Sequence, residues 1–238
     1  MDRTKNTGKR DLLGGIGLLT AFAIWTILIQ YADVQPAGPE GSEVGLAAFN
    51  IRFHGFTGVH MALYTVTDWL GLVPVAVCAC FAGLGSVQLM KRKSLFRVDA
   101  DILLLGAYYI LVIFGYLFFE MVPVNYRPVL IGGHLEASYP SSTTLLVLSV
   151  MSTLAFQAGR RVKNGRIRRG ITAAAVLFSV FMVIGRLAAG VHWATDIIGA
   201  ILLSAGLFLL YRAAAACTDR KKLLQEGSDW NSTKSCSS

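Results

Sequence analysis

The chain has 238 residues, 54% of them hydrophobic and only 15% charged. That balance excludes an ordinary soluble domain and points to an all-α integral membrane protein with several crossings. The net charge of +8 would suit a nucleic-acid binder, but the basic residues cluster beside apolar runs, and their placement reads as membrane topology instead.

Six apolar runs cover residues 12–31, 69–89, 102–119, 143–158, 171–184 and 194–211. A crossing helix needs about 20 such residues. The fourth and fifth runs are short, and flanking residues such as Tyr139-Pro140 or Leu187-Ala188 must complete them. The first run follows a basic segment and is too long for a signal peptide, so an uncleaved anchor is expected. Residues 33–42 carry Pro36, Gly38, Pro39 and Gly41 and read as a loop. Residues 44–63 mix Phe49, Ile51, Phe53 and Phe56 with Asn50, Arg52, His54 and His60, which suits an extracytoplasmic helix lying in the interface. His54 and His60 read as headgroup-level residues. Asp68, at the mouth of the second run, is either a helix cap or an acceptor behind a site.

The segment 120–139 joins runs three and four and carries Arg127, His134 and Glu136, with Gly132-Gly133 for a tight bend. Pro140, Ser141, Ser142, Thr143 and Thr144 then open the fourth run as a helix start with hydroxyl residues. Between runs five and six lies Gly185-Arg186-Leu187-Ala188-Ala189-Gly190-Val191-His192-Trp193-Ala194-Thr195-Asp196.

Arg3, Lys5, Lys9 and Arg10 precede the first run, and Lys91, Arg92, Lys93 and Arg97 follow the second. Arg160, Arg161, Lys163, Arg166, Arg168 and Arg169 follow the fourth, and Arg212, Arg220, Lys221, Lys222 and Lys234 follow the sixth. In a six-span arrangement all of these share one side, with Arg52, Arg127 and Arg186 on the other. Lys and Arg beside span ends mark the cytoplasm. Both termini are therefore expected in the cytoplasm of a multi-pass cell-membrane protein, and no nucleic-acid partner is expected. Cys78, Cys80, Cys217 and Cys236 form neither a metal-ligand pattern nor a disulfide framework.

Arg127, the 140–144 helix start, Arg186, and His192 with Asp196 all fall at the outer ends of spans. Ionisable residues at that depth are costly and usually mark function. His192 and Asp196 are one helical turn apart, so the carboxylate can orient the imidazole. Arginine forks suit phosphate oxygens, and helix N-termini attract anions. A nucleophile among such groups is what phosphoryl transfer requires.

Together these residues resemble the type 2 phosphatidic acid phosphatase superfamily, which also contains the vanadium haloperoxidases. Its signature runs Lys-x6-Arg-Pro, then Pro-Ser-Gly-His, then Ser-Arg-x5-His-x3-Asp. Here Arg127-Pro128 matches the first part with Glu120 in the lysine position. Pro140-Ser141 matches the second with Ser142 for glycine and Thr143 for histidine. Arg186, His192 and Asp196 match the third with Gly185 for serine. The resemblance covers about residues 65–212 of one membrane domain, with tails at 1–11 and 213–238. It implies that His192 attacks phosphorus, that Asp196 orients it, and that Arg127, Arg186 and Ser141, Ser142 and Thr143 hold phosphate. It implies no metal or cofactor, and a lipid substrate.

Thr143 cannot protonate a leaving oxygen as the usual histidine would. Two expectations follow: a preference for a good leaving group, as in a polyprenyl diphosphate such as undecaprenyl diphosphate, or a substitute acid at His134 or Glu136. Glu120 is expected to pair with Arg127 or Arg186, or to meet a different headgroup. A lipid-headgroup binder without turnover and a lipid phosphotransferase are the rival readings. The sequence carries no signal for oligomeric state.

Overall fold

The computed structural model describes residues 2–94 and 97–235; Cys236 lies outside them. Among the described residues eight α-helices follow one another: α1 (Asp2–Tyr31), α2 (Ala47–Thr57), α3 (Met61–Leu70), α4 (Leu72–Arg92), α5 (Ala100–Met121), α6 (Ser142–Arg161), α7 (Gly165–Ala188) and α8 (Ala194–Ser235). A 3-10 turn, Pro39–Gly41, interrupts the loop after α1. Among the described residues β structure is limited to three isolated bridges.

Among the described residues six segments are long and apolar enough to cross a membrane: Asn6–Tyr31, Met61–Arg92, Ala100–Met121, Ser142–Arg161, Gly165–Ala188 and Ala194–Arg220. The chain is thus an all-α membrane protein. The second segment begins at Met61, eight residues before the start expected from hydropathy. Tyr64, Thr65, Thr67 and Asp68 dilute its apolar signal, and two helices meeting at Gly71 build it. The fifth segment takes in Leu187-Ala188 as expected, whereas the fourth begins at Ser142, leaving Tyr139-Pro140 outside, and gains its length at Gly159, Arg160 and Arg161 instead. The helix expected at the interface over 44–63 is shorter, Ala47–Thr57. It ends at Thr57 because Gly58 takes φ 64°, a left-handed conformation that favours glycine.

Half of the α6 and α8 spans is buried, against 6–22% of the other four. These two form the protein-facing centre. Helix α1 packs along α8, where Gly15 lies close to the Gly206 carbonyl and Gly206 to Leu19; small residues allow such backbone approach in a membrane. The main core cluster joins Phe22, Leu105, Tyr108, Tyr139, Leu203 and Tyr211. At one end of the bundle, Arg160 and Arg161 bind Asp219 and Asp101. The candidate site lies at the other end.

Helix α2 crosses the α7–α8 turn as a strap. Asn50, fully buried, donates to Thr195 Oγ1 at 3.0 Å and accepts from Thr195 N at 3.3 Å. His54 Nε2 donates to the Gly190 carbonyl at 2.9 Å, and the backbone N–H of His60 donates to Ala189 at 3.0 Å. Both histidines therefore serve the backbone that carries His192.

Candidate active site

Four chain segments converge at this end. The first is the 122–141 connection. Tyr126 bridges Ala137 and Ile131 bridges His134, so the chain folds back as a small hairpin. Gly132 and Gly133 take φ 58° and 83° at its tip, the geometry that a two-residue tight turn requires. Pairing Arg127 N–H with the Glu136 carbonyl at 3.0 Å sets these residues opposite each other, and Arg127 Nε then meets Glu136 Oε2 at 3.0 Å.

The second segment is the α6 start. Ser141 is the N-cap residue, but its hydroxyl donates to Thr144 Oγ1 at 3.1 Å and caps no backbone amide. Its own N–H bonds the Asp196 carbonyl at 3.2 Å, tying α6 to α8. The positive end of the α6 dipole is left facing the site.

Arg186 ends α7 as the third element. It is 1% exposed and stacks 4.9 Å over the Tyr64 ring. Asp68 Oδ1 lies 3.6 Å from its Nη1, beyond hydrogen-bond distance, so Asp68 stands behind the site as a counter-charge and accepts no bond from it. Gly185, where the family signature has serine, packs against Thr67: a Cβ there would stand 2.8 Å from Thr67 Cγ2.

The 189–193 turn is fourth. Gly190 takes φ 66° with the Gly58 backbone against its Cα, and Trp193 Nε1 donates to the Tyr126 carbonyl at 2.8 Å. Held in this way, His192 presents Nε2 to both guanidiniums. Arg127 Nη1 and Arg186 Nη2 each donate to it at 3.3 Å. Accepting two such bonds requires an unprotonated Nε2, so the ring is neutral with its hydrogen on Nδ1. Burial, with the Arg127 and Arg186 charges added, pushes the His192 pKa well below its ordinary value.

On the other side, Nδ1 stands 3.7 Å from Asp196 Oδ2 and makes no hydrogen bond; the Ser138 carbonyl is its other neighbour. Asp196, fully buried, accepts from Trp193 N–H at 2.9 Å and from Asn125 Nδ2 at 3.4 Å. The first bond caps α8 from its third residue.

A cavity of about 230 Å³ opens at this junction. Arg127, Glu136, Ser138, Ser142 and His192 line it, with Tyr116, Phe119, Glu120 and Tyr139 around them. Not all the expected residues meet there. His134 is exposed at the hairpin tip, Thr143 faces a neighbouring apolar groove with Leu72 and Val112, and Ser141 turns toward Thr144. Glu120 pairs with neither arginine, because Glu136 holds Arg127 and Asp68 faces Arg186. Sequence reasoning missed Asn125 and Ser138, both buried against Asp196. Their polarity next to two proline-flanked turns was the available signal. Among the described residues no cluster of three or more His, Cys, Asp or Glu forms; the donors here suit an anion.

The family model of the PAP2 superfamily matches residues 100–218. The fold is similar to "Crystal structure of the first transmembrane PAP2 type phosphatidylglycerolphosphate phosphatase from Bacillus subtilis", with a TM-score of 0.60 over 87% of this chain and 96% of that chain. The two sequences are 16% identical, so this likeness speaks for the fold alone. No curated protein sequence matches the chain.

Proposed function

The chain belongs to the PAP2 superfamily, and from that premise we propose that it is a membrane lipid phosphatase working through a phosphohistidine on the extracytoplasmic side. The observation that carries this reading is the 3.3 Å approach of both guanidiniums to His192 Nε2. Phosphate oxygens compete for the same donors, and a phosphoryl group taken between the arginines meets the Nε2 lone pair directly.

In the first step Nε2 bonds to phosphorus, the bond from phosphorus to the lipid oxygen breaks, and that oxygen takes a proton to leave as an alcohol. Glu136 is the donor we assign, since it lines the cavity and His134 does not. The monoester enters as its monoanion: its phosphate displaces Glu136 from Arg127 and hands its proton to the freed carboxylate, which passes it to the leaving oxygen. Water next attacks phosphorus, Glu136 recovers its proton, and the bond to Nε2 breaks. Arg127, Arg186 and the α6 start around Ser142 hold the equatorial oxygens. Asp196 favours the developing positive charge on the ring across 3.7 Å. The excess of Lys and Arg beside the opposite helix ends supports cytoplasmic termini and an outward-facing site.

With an acid available, the chain has less need of a diphosphate leaving group, and Glu120 and Glu136 on the cavity wall disfavour a second phosphate. A lipid monoester is the better fit. The test is release of inorganic phosphate from lipid mono- and diphosphates by purified protein, with His192→Ala as control. Release that depends on His192 supports the proposal, whereas binding without release marks a headgroup binder.

A further inference from the structure

The cavity is electrically two-ended. Its inner wall carries Arg127 and the positive N-terminal end of α6 at Ser142, with Arg186 just behind the imidazole. Arg186 is 1% exposed, yet its Nε and Nη1 have no hydrogen-bond partner, which marks this end for an anion. The outer wall is the opposite. Glu120 lies in the last turn of α5, at the negative end of that helix. It is exposed and, among the described residues, makes no ion pair. Tyr116, one turn back, and Phe119 line the cavity beside it. A carboxylate with aromatic rings beside it offers an ammonium group both charge and an aromatic neighbour.

Resting on the lipid phosphatase reading, we infer that Glu120 selects a substrate whose phosphate ester carries an ammonium group close by, as in the phosphate of a long-chain 2-amino alcohol. The size agrees. About 230 Å³ is roughly the space of seven or eight waters at about 30 Å³ each, which suits a phosphate joined through two carbons to a nitrogen. The neighbouring groove between α4, α5 and α6 meets the cavity at Tyr116 and Ser142 and is otherwise mostly apolar, so the alkyl chain has a path into the bilayer. Lysine, the family's residue at position 120, would repel the same cation.

The test uses two lipids that differ in one charge, a long-chain 2-amino alcohol phosphate and its N-acetyl derivative. Inorganic phosphate release is measured with the full chain in mixed micelles. The wild type should favour the free amine by about tenfold in kcat/KM. Glu120→Gln should bring the ratio close to one, and Glu120→Lys should invert it. A folding defect scales both rates together and leaves the ratio alone. Hydrolysis of both lipids at a wild-type ratio near one, or a preference that survives Glu120→Gln, overturns the inference and leaves the lipid phosphatase reading standing. Release from neither lipid nor from a simple alkyl phosphate overturns both.

Discussion

Asp196 stands 3.7 Å from the His192 ring nitrogen it was expected to hold, and accepts from Trp193 N–H and Asn125 Nδ2 instead. One carboxylate thus caps α8 and lends its charge to the imidazole. Asparagine can keep the first role and not the second. Asp196→Asn should therefore fold normally while losing roughly 10²–10⁴-fold in phosphate release. Asp196→Ala should also lose about 1 kcal/mol of stability with the cap. Melting curves beside turnover separate the two effects.

Glu136 as the acid makes a prediction about leaving groups. Glu136→Gln should slow an alkyl phosphate by about 10²-fold or more, the usual scale of general acid catalysis. An aryl phosphate, whose leaving oxygen needs no proton, should be nearly unaffected. His134→Ala should change neither. Equal losses of Glu136→Gln on both esters would remove Glu136 from the chemistry.

The depressed pKa of His192 sets the sign of the pH response. The neutral ring is the nucleophile, so phosphoryl uptake should persist as pH falls through about 6.5, the ordinary histidine value, and fail only well below it. Stability follows the same sign. The unfolded chain takes up the proton first, so this contribution is present above about 6.5 and declines as pH falls further. Arg127→Gln removes one of the charges responsible and should move the acid limb of the rate profile upward. A limb that stays in place would contradict the assigned cause.

Gly185 is matched to Thr67, whose hydroxyl is fixed by bonds to the Leu63 and Tyr64 carbonyls. Gly185→Ser restores the family residue yet should cost about 1–3 kcal/mol by overpacking, lowering Tm by several degrees. Adding Thr67→Ala should recover most of that loss. A stable single variant would show that the α3–α7 contact yields.

These results divide by what sequence spacing can express. Arg127, Arg186, His192 and Asp196 were legible because ionisable residues at span ends stand out against apolar neighbours, and their order follows the chain. The hairpin tip was legible from Gly132-Gly133, where two left-handed residues leave little choice. Which carboxylate takes Arg127 was not, because Glu120 and Glu136 are both near in sequence and only the hairpin register brings Glu136 opposite. The early start of the second span was hidden for a related reason. Thr67 and Asp68 look like loop residues until α7 supplies Gly185 and Arg186 as their partners.

The account stands on His192 carrying the phosphoryl group. The direct measurement is to mix the protein with lipid phosphate labelled at phosphorus, quench in alkali, where phosphohistidine survives and carboxyl phosphates do not, and map the label by mass spectrometry. The account predicts a phosphoryl group on His192 that is absent from His192→Ala. Label on another residue, or full phosphate release by His192→Ala, would contradict it.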